Sequence, residues 1–573
     1  MKPSRVSLNT LAVLAILALV VAGCGRQTAT PRARPTPTST PTPTRTATPA
    51  TRAANGTASG TAAASASTSG AATAPPAPAP APSPTAPTPT DVVTYRGDYA
   101  RTGWYQNDPW LTTAVLPKIG ALWQSSLLAG TIYAQPLVDA ADHLILTVTT
   151  ANDAYGLNAA NGHPVWGPVN VGTPVPRSML ACGDVNPVGM LSTPVLDPAT
   201  DTLYAVALTR DSSAAAGMRY ELVAISAATG VLRPGFPVPI PDPPGFNIRY
   251  QQQRAALTLL HNTIYIAFGG YYGDCGPYHG WVIGVPLAHP AAQQSLMVPT
   301  AREGAIWAAA GMATGPNGSL YAATGNGSST SAFDYGDSVL RLHTQPTLGF
   351  SRNPRDFFAP SNFAMLNAND ADLGSDAPVV LPPQPGTTTP DLLFATGKPG
   401  VGYLINRANL GGVGTGNGVT GQGVYSACLF GPCPQQHEGS FATAAYWPGG
   451  PAGNFIFAAG DGLQPPPCQG RGGVVALRLG VQSSGASDFS VAWCSQGMLD
   501  PGSPAVTGPA GGNAVLWVID TRSGVLLGLD ALTGNTLWSA PLGPTERFIA
   551  PAISGEHLYI GGQHRVTCFG PVD

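Results

Sequence analysis

Apolar and polar residues alternate in short runs along residues 91–573, and Gly, Pro, Asn or Asp separates one run from the next. One such unit recurs: residues 157–166 read LNAANGHPVW, residues 529–538 read LDALTGNTLW, and residues 225–236 carry a degraded copy, ISAATGVLRPGF. Each copy predicts a strand, a small-residue turn with Gly, and a second strand that carries an aromatic side chain. Because the unit is built of strands and repeats at about 50 residues, the pattern predicts a β-propeller.

The strand-like runs fall into eight groups, which predict eight four-stranded antiparallel blades. The groups begin near Ile132, Gly189, Arg254, Gly304, Asp372, His437, Ser503 and Arg547. The last group is one strand short, and the segment GALWQSSLL at residues 120–128 belongs to no group. Joining these two segments in one blade closes the ring and removes two exposed sheet edges. We therefore expect an all-β, eight-bladed propeller over residues 91–573, closed by its N- and C-terminal strands.

Only 10% of the residues are charged, whereas the chain contains 70 Gly and 59 Pro. This composition is typical of many short strands joined by tight turns. The net charge is −3 and the part predicted to fold has no basic run, which argues against nucleic-acid binding. Lysine occurs only at positions 2, 118 and 398, so Lys398 is a candidate for a specific role.

The first 90 residues predict export rather than folding. Lys2 and Arg5 precede an apolar run at residues 11–22, which is typical of a secretory signal and too short for a stable membrane span. The run ends Val-Ala-Gly-Cys, which resembles the lipobox of bacterial lipoproteins and implies cleavage of residues 1–23 and acylation of Cys24. A plain secretory signal with a chance cysteine is the alternative. Residues 24–90 are mostly Thr, Pro, Ala and Ser, which predicts a disordered stalk.

Seven cysteines lie in the part of the chain that is predicted to fold. In an exported protein, cysteines more often form disulfides than bind metals. The spacing predicts a small loop closed by Cys428 and Cys433 and a staple between Cys468 and Cys494 within one blade. The odd number leaves one thiol unpaired, and we expect it to be Cys568. The chain has no CxxC or CxxCH sequence, so neither a zinc knuckle nor a c-type haem is supported.

The repeat, the opening sequence GDYARTGW at residues 97–104 and the eight-fold count together resemble the PQQ-like propeller superfamily. The resemblance covers essentially all of residues 91–573. That superfamily includes quinoprotein alcohol dehydrogenases and also non-enzymatic lipoproteins such as the outer-membrane barrel-assembly subunit. The resemblance therefore implies the fold and leaves the activity open.

Four residues match the dehydrogenase branch of that superfamily in order and approximate spacing. The resemblance places Trp307 under the quinone ring and Asn326, in the sequence TGNG, as an amide ligand to calcium. It makes Asp372 the catalytic base and a metal ligand, and Lys398 the cation that hydrogen-bonds the quinone carbonyls. Because Ca²⁺ takes six or more oxygen ligands, a further carboxylate is needed. Asp274 lies near the place where the enzymes carry a Glu, one residue out of step.

The sequence also departs from the dehydrogenases. Residues 181–183 read Ala-Cys-Gly where those enzymes carry two adjacent cysteines, so the strained ring beside their cofactor cannot form here. The comparison suggests that Cys182 instead forms a disulfide with Cys275. The spacing from Trp307 to Asn326 is one residue longer than in the enzymes. Plain structural roles also exist, since the Trp can pack between blades and Asp372 can cap a turn.

Two functions are compatible with these residues, and we favour the first. The first is a membrane-anchored, extracytoplasmic propeller lipoprotein that acts as a binding or scaffold module, takes a protein or glycan ligand on its propeller face and needs no cofactor. The alternative is a quinoprotein dehydrogenase that uses PQQ and Ca²⁺ to oxidise an alcohol or a sugar. Convergence of Asp274, Asn326 and Asp372 beside Trp307 would favour the dehydrogenase.

Overall fold

The computed structural model describes residues 88–414, 423–433, 439–465 and 468–572. Within them, eight sheets form a ring of eight antiparallel blades, which confirms the predicted fold class. The predicted signal at residues 1–23, Cys24 and the predicted stalk up to residue 87 lie outside the described residues. Among the helices of the described part, none is long and apolar enough to cross a membrane.

The first four blades follow one another along the chain. Their strands are, in blade 1, Leu137–Asp139, Leu144–Val148, Asp153–Asn158 and Pro164–Asn170; in blade 2, Val195–Asp197, Thr202–Arg210, Met218–Ser226 and Val238–Ile240; in blade 3, Gln251–Gln252, Thr258–Leu260, Thr263–Gly270, Trp281–Pro286 and Gln294–Met297; and in blade 4, Ala313–Thr314, Leu320–Ala323, Val339–Leu342 and Phe357–Ala359, with Gly412–Val413 added in parallel.

The other four blades complete the ring. Their strands are, in blade 5, Val379–Val380, Leu392–Ala395, Val401–Asn406 and Tyr425–Cys428; in blade 6, Ala442–Pro448, Asn454–Leu463, Gly470–Val481 and Ser487–Met498; in blade 7, Ala505–Thr507, Val515–Asp520, Val525–Asp530 and Thr536–Pro541; and in blade 8, Ala552–Ser554, His557–Gly561, Val566–Pro571 and Ile119–Gln124.

Helices are few and short in the described residues. The α-helix is Phe363–Ala368. The 3₁₀ helices are Leu116–Lys118, Arg177–Met179, Pro198–Thr200, Pro354–Asp356, Leu373–Ser375 and Gly450–Ala452.

Blade 8 joins the two ends of the folded chain. Strand Ile119–Gln124 pairs antiparallel with Val566–Pro571, and this pairing completes the blade that the C-terminal residues leave one strand short. The predicted closure of the ring is therefore confirmed. Because each end of the chain is paired in the same sheet, neither strand is left as an open edge of an incomplete blade.

The Trp of the sequence repeat packs on the turn of the next blade. Trp166 of blade 1 donates its indole N–H to the carbonyl of Ala227 in blade 2 at 2.8 Å. The turn residue Gly230 has a φ of +74°, and a Cβ there would clash with the Trp166 ring. Gly534, the turn Gly of the copy at residues 529–538, lies in the same way against Trp493 of blade 6. The turn of the repeat therefore carries Gly because a Trp of the neighbouring blade packs against it.

Several predicted groups of strands begin ahead of the first strand of their blade. Gly304 precedes Ala313–Thr314 of blade 4, and Asp372 precedes Val379–Val380 of blade 5. The group at Arg254 begins after Gln251–Gln252, and the group at His437 begins outside the described residues. The residues that follow Gly304 are mostly apolar and buried, which made them strand-like in sequence, but they lie outside the sheet ladders. These approach segments, rather than the strands, carry most of the candidate site.

Two buried arginines fix the N-terminal segment to opposite parts of the ring. Arg96 donates to the carbonyls of Thr443 and Ala444 in blade 6 at 2.7 and 2.8 Å, and to that of Pro504 beside blade 7 at 2.7 Å. Arg101 bonds main-chain carbonyls that directly precede strands of blades 3 and 4. Both guanidinium groups are fully buried, so the opening sequence GDYARTGW has a structural role.

Three disulfides join the predicted cysteine pairs, which confirms that the cysteines are structural. They are Cys182–Cys275, Cys428–Cys433 and Cys468–Cys494, with Cα–Cα distances of 6.2, 5.7 and 5.8 Å. Such distances are within the usual range for a disulfide. Cys568 is free and buried in the last strand, as the odd number of cysteines predicted.

Candidate functional site

The approach segments of several blades meet at the axis of the ring. Ala256, Ala308 and Ala550, from blades 3, 4 and 8, belong to one buried apolar cluster together with Tyr95 of the N-terminal segment. Trp307 directly precedes Ala308, and its side chain is half-buried at the border of this cluster. Trp307 is therefore an axial residue rather than one that packs between two blades.

Blades 4 and 5 bring the other three candidates to the same place. Asn326 follows the second strand of blade 4, and Asp372 precedes the 3₁₀ helix Leu373–Ser375 ahead of blade 5. Lys398 lies in the turn between the second and third strands of blade 5. We call these three residues, with Trp307 and Glu303, the Asp372 cluster.

Asp372 is the centre of the Asp372 cluster and both of its carboxylate oxygens are engaged. Oδ1 accepts the main-chain N–H of Asn326 at 2.6 Å, and Oδ2 lies 2.5 Å from Nζ of Lys398. A Cβ at Gly325 would lie 2.5 Å from Oδ1 of Asp372 and 3.4 Å from Nε1 of Trp307. Gly325 in the sequence TGNG is therefore required for the close approach of Asp372.

Lys398 is a buried cation that two carboxylates share. Its Nζ lies 2.5 Å from Asp372 and 3.0 Å from Asp370, and 5.7 Å from the centre of the Trp307 ring. Burial acts to lower the pKa of Lys398, but Asp372 and Asp370 outweigh it and hold the pKa above its ordinary value. Lys398 is consequently an ammonium at every physiological pH.

Glu303 supplies the second carboxylate of the Asp372 cluster, and the sequence analysis did not select it. Its Oε2 accepts a hydrogen bond from Nδ2 of Asn326 at 3.2 Å, and Arg302 contacts its other oxygen. Burial raises the pKa of Glu303, against the opposing charge of Arg302. Its position four residues before Trp307 was the sequence feature that could have indicated Glu303. The preceding Arg302, however, made an exposed ion pair an equally good explanation of this Glu.

Asp274 makes other contacts. Its Oδ1 accepts the hydroxyl of Tyr278 at 2.6 Å, and its main-chain carbonyl accepts Arg302 at 3.0 Å. Among the hydrogen bonds of the described residues, none joins Asp274 to Asn326 or Asp372. Its neighbour Cys275 forms the disulfide with Cys182, so the bridge lies beside this acidic turn. The metal-binding role of Asp274 stays a prediction.

The Asp372 cluster contains the types of oxygen ligand that bind a hard cation. Glu303, Asn326 and Asp372 offer two carboxylates and an amide, which are the ligands that Ca²⁺ prefers. They are few for an ion that takes six or more oxygens, and one oxygen of Asp372 already contacts Lys398. Within the described residues, the carboxylates close enough together to hold a metal ion lie elsewhere. They are Asp139, Asp142 and Asp201.

Half-buried aromatic rings surround the axis beside the Asp372 cluster. The ring of Trp307 lies 6.2 Å from that of Phe441 and 6.1 Å from that of Phe548, which come from blades 6 and 8. The guanidinium of Arg547 lies 4.9 Å from the Phe441 ring centre, and that of Arg254 lies 5.9 Å from the Phe548 ring centre. Planar groups and cations therefore alternate around the axis, an arrangement suited to flat or anionic ligands.

Asp376 is a second buried carboxyl, four residues after Asp372. Its Oδ2 accepts the hydroxyl of Ser440 at 2.7 Å, and its Oδ1 has no partner among the described residues. Burial raises the pKa of Asp376 to about 8, although the bond from Ser440 opposes the shift. Because the folded protein holds this proton more tightly than the unfolded chain, the stability contribution of Asp376 is lost as the pH rises from about 4 to 8.

We expect Asp376→Asn to remove that part of the pH dependence. The amide has the size of the carboxyl and stays neutral, so the variant should gain free energy of unfolding over the wild type at pH 9 and not at pH 4. Urea unfolding at pH 4, 6.5 and 9 measures the difference. Asp184→Asn, at an exposed aspartate ahead of blade 2 that forms no ion pair among the described residues, is the control. A difference between wild type and Asp376→Asn that is the same at all three pH values would contradict the prediction.

Solved structures with the same ring include two quinohemoprotein alcohol dehydrogenases. The enzyme from Pseudomonas putida has a TM-score of 0.60 and 14% identity over 84% of this chain and 80% of that chain. The enzyme from Comamonas testosteroni has a TM-score of 0.53 and 14% identity over the same shares. A europium-containing methanol dehydrogenase has a TM-score of 0.56 and 12% identity over 84% of this chain and 98% of that chain.

These neighbours are quinoprotein dehydrogenases. At 12–14% identity, the similarity concerns the fold alone. No protein-family model and no curated protein sequence matches the chain. Activity therefore has to be argued from the Asp372 cluster and the residues around it.

Proposed function

We propose that the protein is a membrane-anchored, extracytoplasmic propeller lipoprotein that binds a ligand at the axis of its ring. The observation that carries this proposal is that Asp372 already contacts Asn326 and Lys398 through both of its oxygens. Its Oδ1 accepts a main-chain N–H and its Oδ2 is in contact with Lys398, which Asp370 also neutralises. A carboxylate has about four lone-pair sites, so Asp372 keeps some acceptor capacity. Its two contacts nevertheless give it a positioning role toward Lys398 and Asn326.

The protonation of Asp372 reflects two opposing effects. Burial raises the pKa of Asp372, although the direct contact with the Lys398 ammonium acts to lower it. The surrounding rings of Trp307, Phe441 and Phe548 are half-buried and offer a recognition surface that needs no chemistry. Aromatic side chains are enriched where proteins bind partners because they supply large contact areas at low entropic cost.

A PQQ- and Ca²⁺-dependent dehydrogenase for an alcohol or a sugar is the second candidate. The convergence of Trp307, Asn326, Asp372 and Lys398 at one place favours it. When bound, PQQ would supply a carbonyl that accepts two electrons, with calcium as the Lewis acid that polarises it.

This chain's own residues have defined parts in that alternative. Trp307 would pack against the plane of the quinone, and Lys398 would donate a hydrogen bond to it. Glu303, Asn326 and Asp372 would hold the calcium. Asp372 would take the alcohol proton only after Lys398 leaves its Oδ2.

A comparison of wild type with Asp372→Asn distinguishes the two functions. The purified full-length protein is incubated with PQQ and CaCl₂, desalted, and assayed for alcohol- and sugar-dependent reduction of a redox dye. A binding module gives no substrate-dependent reduction above that of Asp372→Asn. A dehydrogenase loses roughly 10²–10⁴-fold in rate with Asp372→Asn while it still retains PQQ, since the amide cannot accept the proton. That loss would overturn the binding proposal, and Asp391→Asn is the matched control.

A photo-crosslinker tests the binding function directly. Placed at position 441 in the anchored protein in cells, it lies on the axial rings and should give a discrete adduct. Placed at position 481, on an exposed part of the third strand of the same blade, it should give none. Equal labelling at both positions, or no adduct at 441, would contradict axial binding.

The proposed anchor predicts a large effect of Cys24→Ser. Acyl chains contribute about 0.8 kcal/mol per buried methylene group, so a multiply acylated cysteine holds a protein firmly on a membrane. We expect the wild type in the membrane fraction and Cys24→Ser in the soluble fraction. Fractionation with radiolabelled palmitate measures both location and acylation. A Cys24→Ser protein that stays with the membrane after a salt wash would contradict the anchor.

A further inference from the structure

Arg254 is a buried cation without a partner. It lies between the strands Gln251–Gln252 and Thr258–Leu260 of blade 3, two residues before Ala256 of the axial apolar cluster, and is 9% exposed. Both Nη1 and Nη2 are buried and make no hydrogen bond within the described residues. A buried guanidinium without an acceptor is strongly unfavourable, and proteins keep such groups where something else completes them.

The other cations beside the axial rings already have carboxylate partners. Lys398 is held by Asp370 and Asp372, and Arg547 lies 2.9 and 3.2 Å from the two oxygens of Asp500. Arg254 appears in no ion pair of the described part of the chain. Within the described residues, Arg254 is therefore a cation beside the axial rings that no carboxylate contacts, and both of its Nη atoms are buried.

Aromatic rings enclose the guanidinium of Arg254 on two sides. Its Cζ lies 5.7 Å from the ring centre of Tyr133 and 5.9 Å from that of Phe548. The carboxylate of Glu546 acts on the charges of both Tyr133 and Arg254 but forms no ion pair with Arg254 among the described residues. Both rings are half-buried, so each keeps a surface open to a ligand. The rings orient the guanidinium plane and leave its outer N–H groups unused.

We propose that Arg254 is the anchor for a carboxylate group of the ligand, and that the ligand is a planar or aromatic carboxylate whose body packs against Tyr133 and Phe548. The guanidinium fork matches a carboxylate with two parallel hydrogen bonds, and exclusion of water strengthens them. The two rings select a flat body because its faces can lie against theirs. This inference rests on the proposed binding function and names the chemical class of the ligand. The carboxylate can belong to a small ligand or to PQQ.

The test uses two aromatic probes of equal shape and different charge. Sodium 2-naphthoate and neutral 2-naphthamide are titrated into the full-length protein, with thermal unfolding and calorimetry as readouts. We expect the carboxylate to bind at least tenfold more tightly than the amide in the wild type, and to lose this preference in Arg254→Met. Arg249→Met, at an exposed arginine that bonds only main-chain carbonyls in the same region, should behave as the wild type. PQQ without CaCl₂ is the third probe, and it shows whether the cofactor is the source of the carboxylate.

The unliganded protein provides a second, independent readout. Because Arg254→Met removes an unpaired buried charge, the variant should melt no lower than the wild type without ligand. A lower melting temperature, or equal binding of the carboxylate to wild type and Arg254→Met, would overturn the inference. Dye reduction that depends on Asp372 would instead overturn the proposed function and leave the role of Arg254 standing. A wild type that binds neither 2-naphthoate nor PQQ would overturn the Arg254 inference, whatever ligand the crosslinker at position 441 reveals.

Discussion

Arg96→Met is expected to lower the free energy of unfolding by about 3–5 kcal/mol, because it breaks a buried charged network. Arg96 is fully buried and donates three bonds of 2.7 to 2.8 Å to carbonyls of blades 6 and 7. Met fills much of the same volume but donates nothing, so three buried carbonyls lose a partner at once. Typical stabilities are only about 5–15 kcal/mol, so the loss is a large part of the total.

Urea unfolding of the full-length protein, followed by Trp fluorescence, measures this loss. Arg522→Met, at an exposed arginine of a turn in blade 7, is the matched control and should be neutral. Arg96→Lys keeps the charge but cannot form the fork of bonds to two blades, so it should recover only part of the stability. A midpoint for Arg96→Met that equals the control would show that the N-terminal segment does not hold the ring together.

Lys398→Met is the second substitution with a large expected effect, about 3–5 kcal/mol of lost stability. It leaves Asp372 buried at 5% exposure with no cation, while Asp370 is exposed and tolerates the loss. The uncompensated Asp372 carboxyl then binds a proton more readily, so its folded-state pKa rises in the variant. Stability of Lys398→Met should consequently fall further below the wild type at pH 8 than at pH 5.

The double variant Lys398→Met/Asp372→Asn isolates the ion pair. Once the carboxylate is neutral it no longer needs the ammonium, so the double variant should be more stable than Lys398→Met alone. Lys118→Met replaces an exposed lysine and controls for the loss of a positive charge. If the effects of Lys398→Met and Asp372→Asn on the free energy of unfolding simply add, Lys398 and Asp372 are not a coupled pair. Asp372 would then not have the proposed positioning role.

Much of the fold was readable from the sequence because it depends on local pattern. The repeat with Gly162 and Trp166 marked the blades, and the closing strand followed from the missing strand of the last group. The cysteine pairs were predicted because Cys428 and Cys433, like Cys468 and Cys494, are close along the chain. The sequence placed the start of blade 4 too early, at Gly304. The buried apolar residues that follow Gly304 have the side-chain pattern of a strand but do not pair with another strand.

The site was only partly readable, because it depends on distances between blades. Order and spacing selected Trp307, Asn326, Asp372 and Lys398, and the structure brings these four together. No pattern in the sequence indicated Glu303, which reaches Asn326 across a turn. Their roles in metal or cofactor binding stay predictions.

Arg254 shows the same limit most clearly. In the sequence it is one arginine among others at the start of a blade. Its proposed role depends on the two aromatic rings beside it. Tyr133 comes from blade 1 and Phe548 from blade 8, and each is more than a hundred residues from Arg254 in sequence.

The sequence by itself determined the all-β class, the eight blades, the closure of the ring and the two cysteine pairs that are close along the chain, and the family resemblance selected Trp307, Asn326, Asp372 and Lys398. Only the tertiary structure decided that both oxygens of Asp372 contact Asn326 and Lys398 and that no carboxylate contacts Arg254 within the described residues. The physical reason is that strands, turns and repeats follow from side-chain periodicity over a few residues. Charge pairing at the axis depends on which blades face one another within a few ångströms, and this is fixed only when the ring closes.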